Sequence, residues 1–272
     1  MTIAQPAWTG MVPVDDTALA VTDTGGPGAP VIYLNGQFGT QSQWRRVIAE
    51  LGSGYRHVTY DERARGGSKL SADYSFEAGV RDIGTVLAAG GVNRPVILVG
   101  WSYGAALAVQ WAGRYPDRVL GLVSVDGAYP YDYTDEASLD NIRRQFRRLR
   151  WAMPLLRPLG LAARMSAAEQ AEINIELLQV VAKLGPALES LTVPARFMIA
   201  SGGSLGGGKE QMERMRATLG PVLARNPQLK SVKVASSHTQ VLRKDFRAVA
   251  DAVRELATTH SQQADSHVSH DQ

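Results

Sequence analysis

The chain contains no cysteine in 272 residues. Disulfide staples, thiolate metal sites and a cysteine nucleophile are excluded together, so covalent chemistry falls to Ser, Thr, Asp or Lys. A large excess of either charge is also missing: 29 Lys and Arg stand against 26 Asp and Glu, a formal net charge of +3. Nothing in that balance calls for a nucleic-acid partner. No apolar run approaches the roughly 18 residues that span a bilayer, and the first 16 residues hold no basic segment followed by an apolar one. The expectation is a soluble, cytoplasmic protein without integral membrane association. Dinucleotide and phosphate-loop fingerprints and the His-Glu-x-x-His helix are absent too, which points to a reaction without cofactor or metal. Gly202–Gly208 is glycine-rich but lacks the Lys-Ser/Thr ending of a phosphate loop, and fits a mobile loop near a cleft.

What is present is a 44% hydrophobic chain, enough to bury one substantial core. Short β-rich apolar runs at 19–21, 30–34, 57–60, 96–100, 119–125, 195–200 and 229–234 alternate with helical patterns at 41–51, 76–88, 103–114, 209–225 and 245–256. That alternation predicts an α/β fold with a mostly parallel sheet flanked by helices. Pro95–Gly100 is continuously apolar, as a central strand covered on both faces should be. Residues 129–191 carry only helical periodicity, broken by Pro154, Pro158, Gly160, Gly185 and Pro186, and predict a helical cap inserted between core segments 1–128 and 192–258. Residues 259–272, polar and without apolar period, predict a disordered tail with His260, His267 and His270 solvated.

Gly100-Trp101-Ser102-Tyr103-Gly104 is a G-x-S-x-G sequence lying directly after the apolar strand and directly before a helical run. A sharp strand-to-helix turn there points the Ser102 hydroxyl into a cleft at a helix N-terminus, where the dipole favours developing negative charge. A serine hydroxyl needs a base, and His238 is the candidate, on a loop following the run 229–234. His57 starts a strand at the opposite sheet edge and fits a packing role.

On these motifs the chain resembles the α/β-hydrolase superfamily from about residue 15 to 258. In that family the third, carboxylate member usually follows the strand after the cap, but Ala200–Gly206 contains no acid before Glu210. Some members, among them certain haloalkane dehalogenases and lactone hydrolases, place it after the preceding strand, where this chain has Asp126. The resemblance therefore implies Ser102, Asp126 and His238, with Glu210 as second choice for the acid. It also implies an oxyanion hole from the backbone N–H groups of Tyr103 and Gln37, with a possible contribution of the Gln37 side-chain amide. Asn35 stands where the family commonly has His before the Gly. Asp61-Glu62-Arg63-Ala64-Arg65-Gly66-Gly67-Ser68 resembles the family's D-x-R-G-x-G-x-S turn and implies a structural Asp61 in an internal ion pair. Asp245 fits a helix-capping carboxylate.

Between Asn141 and Met165 lie Arg143, Arg144, Arg147, Arg148, Arg150, Arg157 and Arg164, interleaved with Phe146, Leu149, Trp151 and Met153. The expected arrangement is a basic outer face and an apolar face walling a pocket, with Asn35, Phe38, Trp101, Phe146 and Trp151 as wall residues; recognition of an acidic substrate, partner or membrane surface is the alternative. The expected activity is hydrolysis of an ester or lactone of a mostly hydrophobic small molecule through an acyl-enzyme. A perhydrolase, lyase or cyclase on the same residues, or a hydrolase-like ligand-binding protein, stays open, as does the oligomeric state.

Overall fold

The computed structural model describes residues 6–156, 163–204 and 208–268. Arg157, Pro158, Gly160, residues 205–207, His270 and the side chains of His260 and His267 lie outside that description. Eight strands form one sheet: β1 (Trp8–Val14), β2 (Thr17–Asp23), β3 (Ala29–Leu34), β4 (Tyr55–Tyr60), β5 (Val96–Trp101), β6 (Val119–Val125), β7 (Ala195–Ala200) and β8 (Leu229–Val234). Their order is β1-β2-β4-β3-β5-β6-β7-β8. β2 is antiparallel to both β1 and β4, and the remaining pairs are parallel. Only β1 has no counterpart among the apolar runs of the sequence. It is an edge strand containing Gly10 and Pro13, buries only Val12 and Val14, and so carries little apolar signal.

The helices are α1 (Arg45–Leu51), α2 (Phe76–Ala89), α3 (Tyr103–Arg114), α4 (Glu136–Leu149), α5 (Met153–Leu156), α6 (Ala167–Ala182), α7 (Leu184–Glu189), α8 (Lys209–Ala217), α9 (Leu219–Arg225), α10 (Val241–Lys244) and α11 (Phe246–Val268). β5 shows why the sheet is buried twice over: Val96 and Leu98 join the core shared with α2 and α3, while Ile97 and Val99 join the core shared with α1 and α11. β5 sits between β3 and β6, the centre that its unbroken apolar run predicts.

The helices α4 to α7 all fall between β6 and β7, in the segment whose sequence shows only helical periodicity. The helical pattern 209–225 is two helices, parted at Thr218 just before Gly220-Pro221. The tail expected from residue 259 begins within the last helix, and residues 269–272 lie outside the described residues. α11 runs to Val268, because a helix already nucleated on the core propagates cheaply through residues with no Gly or Pro to stop it. Among the described residues no helix is long and apolar enough to cross a membrane.

Candidate active site

Ser102 sits between β5 and α3 with φ 55° and ψ −111°, a left-handed backbone that costs a non-glycine residue on the order of 1–3 kcal/mol. The backbone on either side of Ser102 passes close to its neighbours at two glycines. A Cβ on Gly104 would lie 2.2 Å from the Leu34 carbonyl oxygen, and one on Gly100 would lie 2.3 Å from that of Gly104. Ser102 is the N-cap of α3 but makes no side-chain cap hydrogen bond, so its hydroxyl is left to a cavity of about 340 Å³.

Asp126 follows β6, also at positive φ, and is 1% exposed. Its backbone N–H donates to the Met198 carbonyl on β7 (2.8 Å), fixing it at the carboxyl edge of the sheet. Oδ1 accepts from the Tyr129 hydroxyl (2.7 Å), the Ala200 N–H (3.1 Å) and Arg216 Nε (2.9 Å). Oδ2 accepts from Arg216 Nη2 (2.7 Å) and His238 Nδ1 (2.8 Å). Burial pushes this carboxyl up, but the hydrogen bonds from His238 and Arg216 outweigh it and hold Asp126 well below the usual carboxylate range. An acceptor-only carboxylate opposite Nδ1 requires the proton on Nδ1 and leaves Nε2 with its lone pair.

His238 is carried by the loop after β8. Its N–H donates to the Gly203 carbonyl (3.2 Å), and its carbonyl accepts from Trp101 Nε1 (3.2 Å), whose ring lies against the imidazole at 5.5 Å between centroids. Asp245 stands immediately before α11, in the capping region expected of it, and its carboxylate accepts from the Ser236 N–H (3.2 Å) and from the Ser236 hydroxyl, tying the root of this loop to the start of α11.

Ser102, Asp126 and His238 all line the one cavity, and so does Gln37. Gln37's backbone N–H donates to no described residue, whereas its side-chain amide turns to the Gln170 carbonyl on α6 (3.3 Å). Tyr103 opens α3, so its N–H has no intrahelical acceptor. Glu210 is 86% exposed and pairs with Arg214 (2.7 Å), remote from Asp126 in role. Asp61 is buried as a structural residue, but its expected ion pair is corrected: it accepts from the Gln41 N–H (2.8 Å) and Gly67 N–H (2.9 Å), while Arg63 takes Asp82 (2.8 Å) and Asp15 (2.7 Å). His57 is a satisfied core residue, facing the Tyr33 hydroxyl (2.8 Å) and the Gly52 carbonyl (2.9 Å).

Of the five expected wall residues, Phe146 lines the cavity and the other four do not. Asn35 is fully buried beneath the loop after β3, Phe38 stands behind Phe146 at 6.0 Å, Trp101 backs His238, and Trp151 is 78% exposed at the outside. The walls instead combine Tyr131, Leu177 and Met215 with neutral polar groups such as Asn141, Gln145 and Asn174. Asp126 is the one charged side chain among the lining residues. Arg143, Arg144, Arg147, Arg148 and Arg150 are exposed and line none of it. Among the described residues no group of three or more His, Asp or Glu could hold a metal ion.

Tyr129 and Arg216 escaped the sequence. Tyr129 carries a weak signal, three residues beyond Asp126; Arg216 lies 90 residues away and carries none.

Comparison with known proteins bears on the fold. A family described as alpha/beta hydrolase fold matches residues 29–161. A haloalkane dehalogenase of Mesorhizobium japonicum is 31% identical over 141 residues, 51% of this chain and 45% of that one. The chain thus spans less than half the length of the curated relatives it matches. An esterase from Exiguobacterium antarcticum is similar over 90% of this chain and 98% of its own (TM-score 0.70, 19% identity). An enol-lactonase from Burkholderia xenovorans is similar over 92% and 100% (TM-score 0.68, 17% identity). With its strand order, its Ser102 turn and these likenesses, the chain has the α/β-hydrolase fold.

Proposed function

We propose that the protein hydrolyses carboxylic esters or lactones of small, uncharged, mostly hydrophobic molecules through an acyl-enzyme. The observation that carries this reading is one convergence: an uncapped Ser102 at positive φ shares a cavity with a His238 whose Nδ1 is engaged by an anionic Asp126. Ser102 Oγ attacks the carbonyl carbon while His238 Nε2 takes its proton, and Asp126 stabilises the resulting imidazolium. Charge gathers on the former carbonyl oxygen, and the N–H groups of Tyr103 and Gln37 are the donors for it; each such donor is worth about 2.7–4 kcal/mol. His238 then protonates the leaving alcohol, or the ring oxygen of a lactone. A water, deprotonated by His238, cleaves the acyl-Ser102 ester and releases the acid.

The neutral walls support the substrate class: Tyr131, Leu177 and Met215 suit an apolar or ring-bearing acyl group, and the amides of Asn141, Gln145 and Asn174 suit its carbonyl or hydroxyl oxygens. The likeness to an esterase and an enol-lactonase supports the reaction class by analogy of fold. The experiment is the intact mass after treatment with a fluorophosphonate, beside turnover of aryl esters and lactones. One adduct on the wild type and none on Ser102→Ala is the expected result. A wild type that takes no adduct ends the proposal.

A further inference from the structure

Glu62 and Arg65 occupy two of the x positions in the Asp61–Ser68 turn after β4, and both reach across to the loop after β3 that carries Gln37. Glu62 Oε1 accepts from the Asn35 N–H (3.0 Å) and Oε2 from Asn35 Nδ2 (2.9 Å). Asn35 Nδ2 also donates to the Tyr60 carbonyl (2.7 Å), and its Oδ1 accepts from Trp44 Nε1 (2.7 Å), so the side chain has one orientation. Two residues on, Arg65 Nε donates to the Gln37 carbonyl (2.8 Å), and its Nη1 donates to the Arg63 carbonyl (2.8 Å). Asn35, Glu62 and Arg65 are all buried.

Burying a carboxylate is costly, and a neutral group would serve a merely structural turn. A carboxylate is the acceptor-only group that takes both Asn35 donors at once. Between the two anchors lies the Gln37 N–H, which donates to no described residue, and Gln37 itself lines the cavity. We propose that Glu62, assisted by Arg65, is a positioning residue for the oxyanion hole, setting Asn35–Gln37 so that the Gln37 N–H meets the oxyanion formed at Ser102. The inference rests on the acyl-enzyme reading.

The clamp is sensitive to protonation. Burial pushes the Glu62 carboxyl up to about 7, with Arg65 and the Asn35 amide pulling it back. The other titratable groups about it are the buried Tyr60 phenol from β4 and Tyr103 phenol from α3, with the Asp82–Arg63 pair beside Tyr60. A protonated Glu62 turns one of its two acceptors into a donor, which then faces an Asn35 N–H, and one anchor of the loop is lost.

The test is the pH dependence of kcat and KM for an aryl ester in the wild type, Glu62→Gln and Arg65→Gln, with fluorophosphonate labelling of each. In the wild type, kcat falls in two protonation steps as pH is lowered, one for the base His238 and one near pH 7 for Glu62. Glu62→Gln holds the loop in its protonated-like state at every pH: kcat at pH 8 drops about 10-fold to 100-fold, KM barely moves, and one step remains. Arg65→Gln, deprived of the cation that favours ionised Glu62, moves the second step to higher pH. Unchanged kcat in Glu62→Gln, or both steps retained, overturns the proposal. Should Glu62→Gln fail to fold, an unmoved step in Arg65→Gln overturns it and a raised one supports it. An adduct on all three proteins with identical profiles sinks this inference alone; no adduct on the wild type sinks the acyl-enzyme reading and this one with it.

Discussion

Two buried carboxylates stand just beyond strand ends, Asp126 after β6 and Glu62 after β4, and they are held in opposite ways. Both are nearly free of solvent, at 1% and 5% exposure. Asp126 receives five hydrogen bonds, two of them from a guanidinium, and is held well below the usual carboxylate range. Glu62 receives two, both from one neutral amide residue, and is pushed up to about 7. Burial raises both; the number and charge of the donors decide the sign. Asp126 is therefore a fixed anion at any ordinary pH, while Glu62 stands at the margin of ionisation.

Removing the charge from Asp126 should produce the largest effect. Asp126→Asn presents His238 Nδ1 with an amide that no longer enforces the tautomer, and kcat should fall by about 10⁴-fold in aryl-ester turnover. Wild-type kcat in this variant would mean that Asp126 holds Arg216 and not the base. Its contribution to folding runs the same way: a depressed carboxylate stabilises the protein above its ordinary value of 3.8, and that stability is lost as pH falls below it.

Arg216→Met next separates holding the anion from using it. The guanidinium is 5% exposed and bonds both Asp126 oxygens and the Gly202 carbonyl (2.7 Å). Breaking one partner of a buried pair costs roughly 3–5 kcal/mol, a fall in Tm of about 10 °C by calorimetry for a chain of this size. A Tm within a degree or two of wild type would show that Tyr129 and the Ala200 N–H suffice to hold Asp126.

Glu62→Gln should act on stability in the opposite direction. A carboxyl raised from 4.5 to about 7 stabilises the fold fully below pH 4.5 and loses that contribution as pH rises through about 7. Replacing it with a neutral amide should leave stability unchanged at pH 4.5 and raise it at pH 8, by roughly 1–2 kcal/mol after the hydrogen bond that Gln cannot accept. A loss of stability at pH 8 would place Glu62 with Asp126 as a settled anion and erase the contrast between them.

The sequence exposes the two ends of this arrangement and hides its middle. Ser102 and His238 are legible because each is fixed by a local pattern, strand-turn-helix for one and the loop after a strand for the other. Asp126 needs the chain order of the family as well. What surrounds it comes from tertiary folding: Arg216 arrives from a helix that begins beyond β7 and leaves no local trace. The cavity wall is a matter of helix phase. On α4 the lining residues Ser138, Asn141, Ile142, Gln145 and Phe146 follow helical spacing and exclude every arginine, a signal present in the sequence but masked by the attraction of aromatic residues as wall candidates. Trp151 lies beyond the end of that helix and faces out. Glu62 sits at a position where the family pattern specifies nothing, so its contact with Asn35 had no signature.

If local donors alone set both carboxylates, the exposed arginines of α4 should matter least of all. Arg147 and Arg148 lie on the outer side of a helix whose inner side walls the cavity. Exposed charges are strongly screened at physiological ionic strength, with a Debye length of about 8 Å. Arg147→Gln with Arg148→Gln should shift neither protonation step of kcat by more than about 0.3 pH unit. The double variant should also leave the preference for a neutral over a carboxylate-bearing aryl ester within about twofold in kcat/KM at 0.15 M salt. A tenfold loss of activity on the carboxylate-bearing ester alone would show that the basic face reaches the cavity mouth and recruits acidic substrates, and the ionisation of the two carboxylates would then answer to remote charge as well as to their own donors.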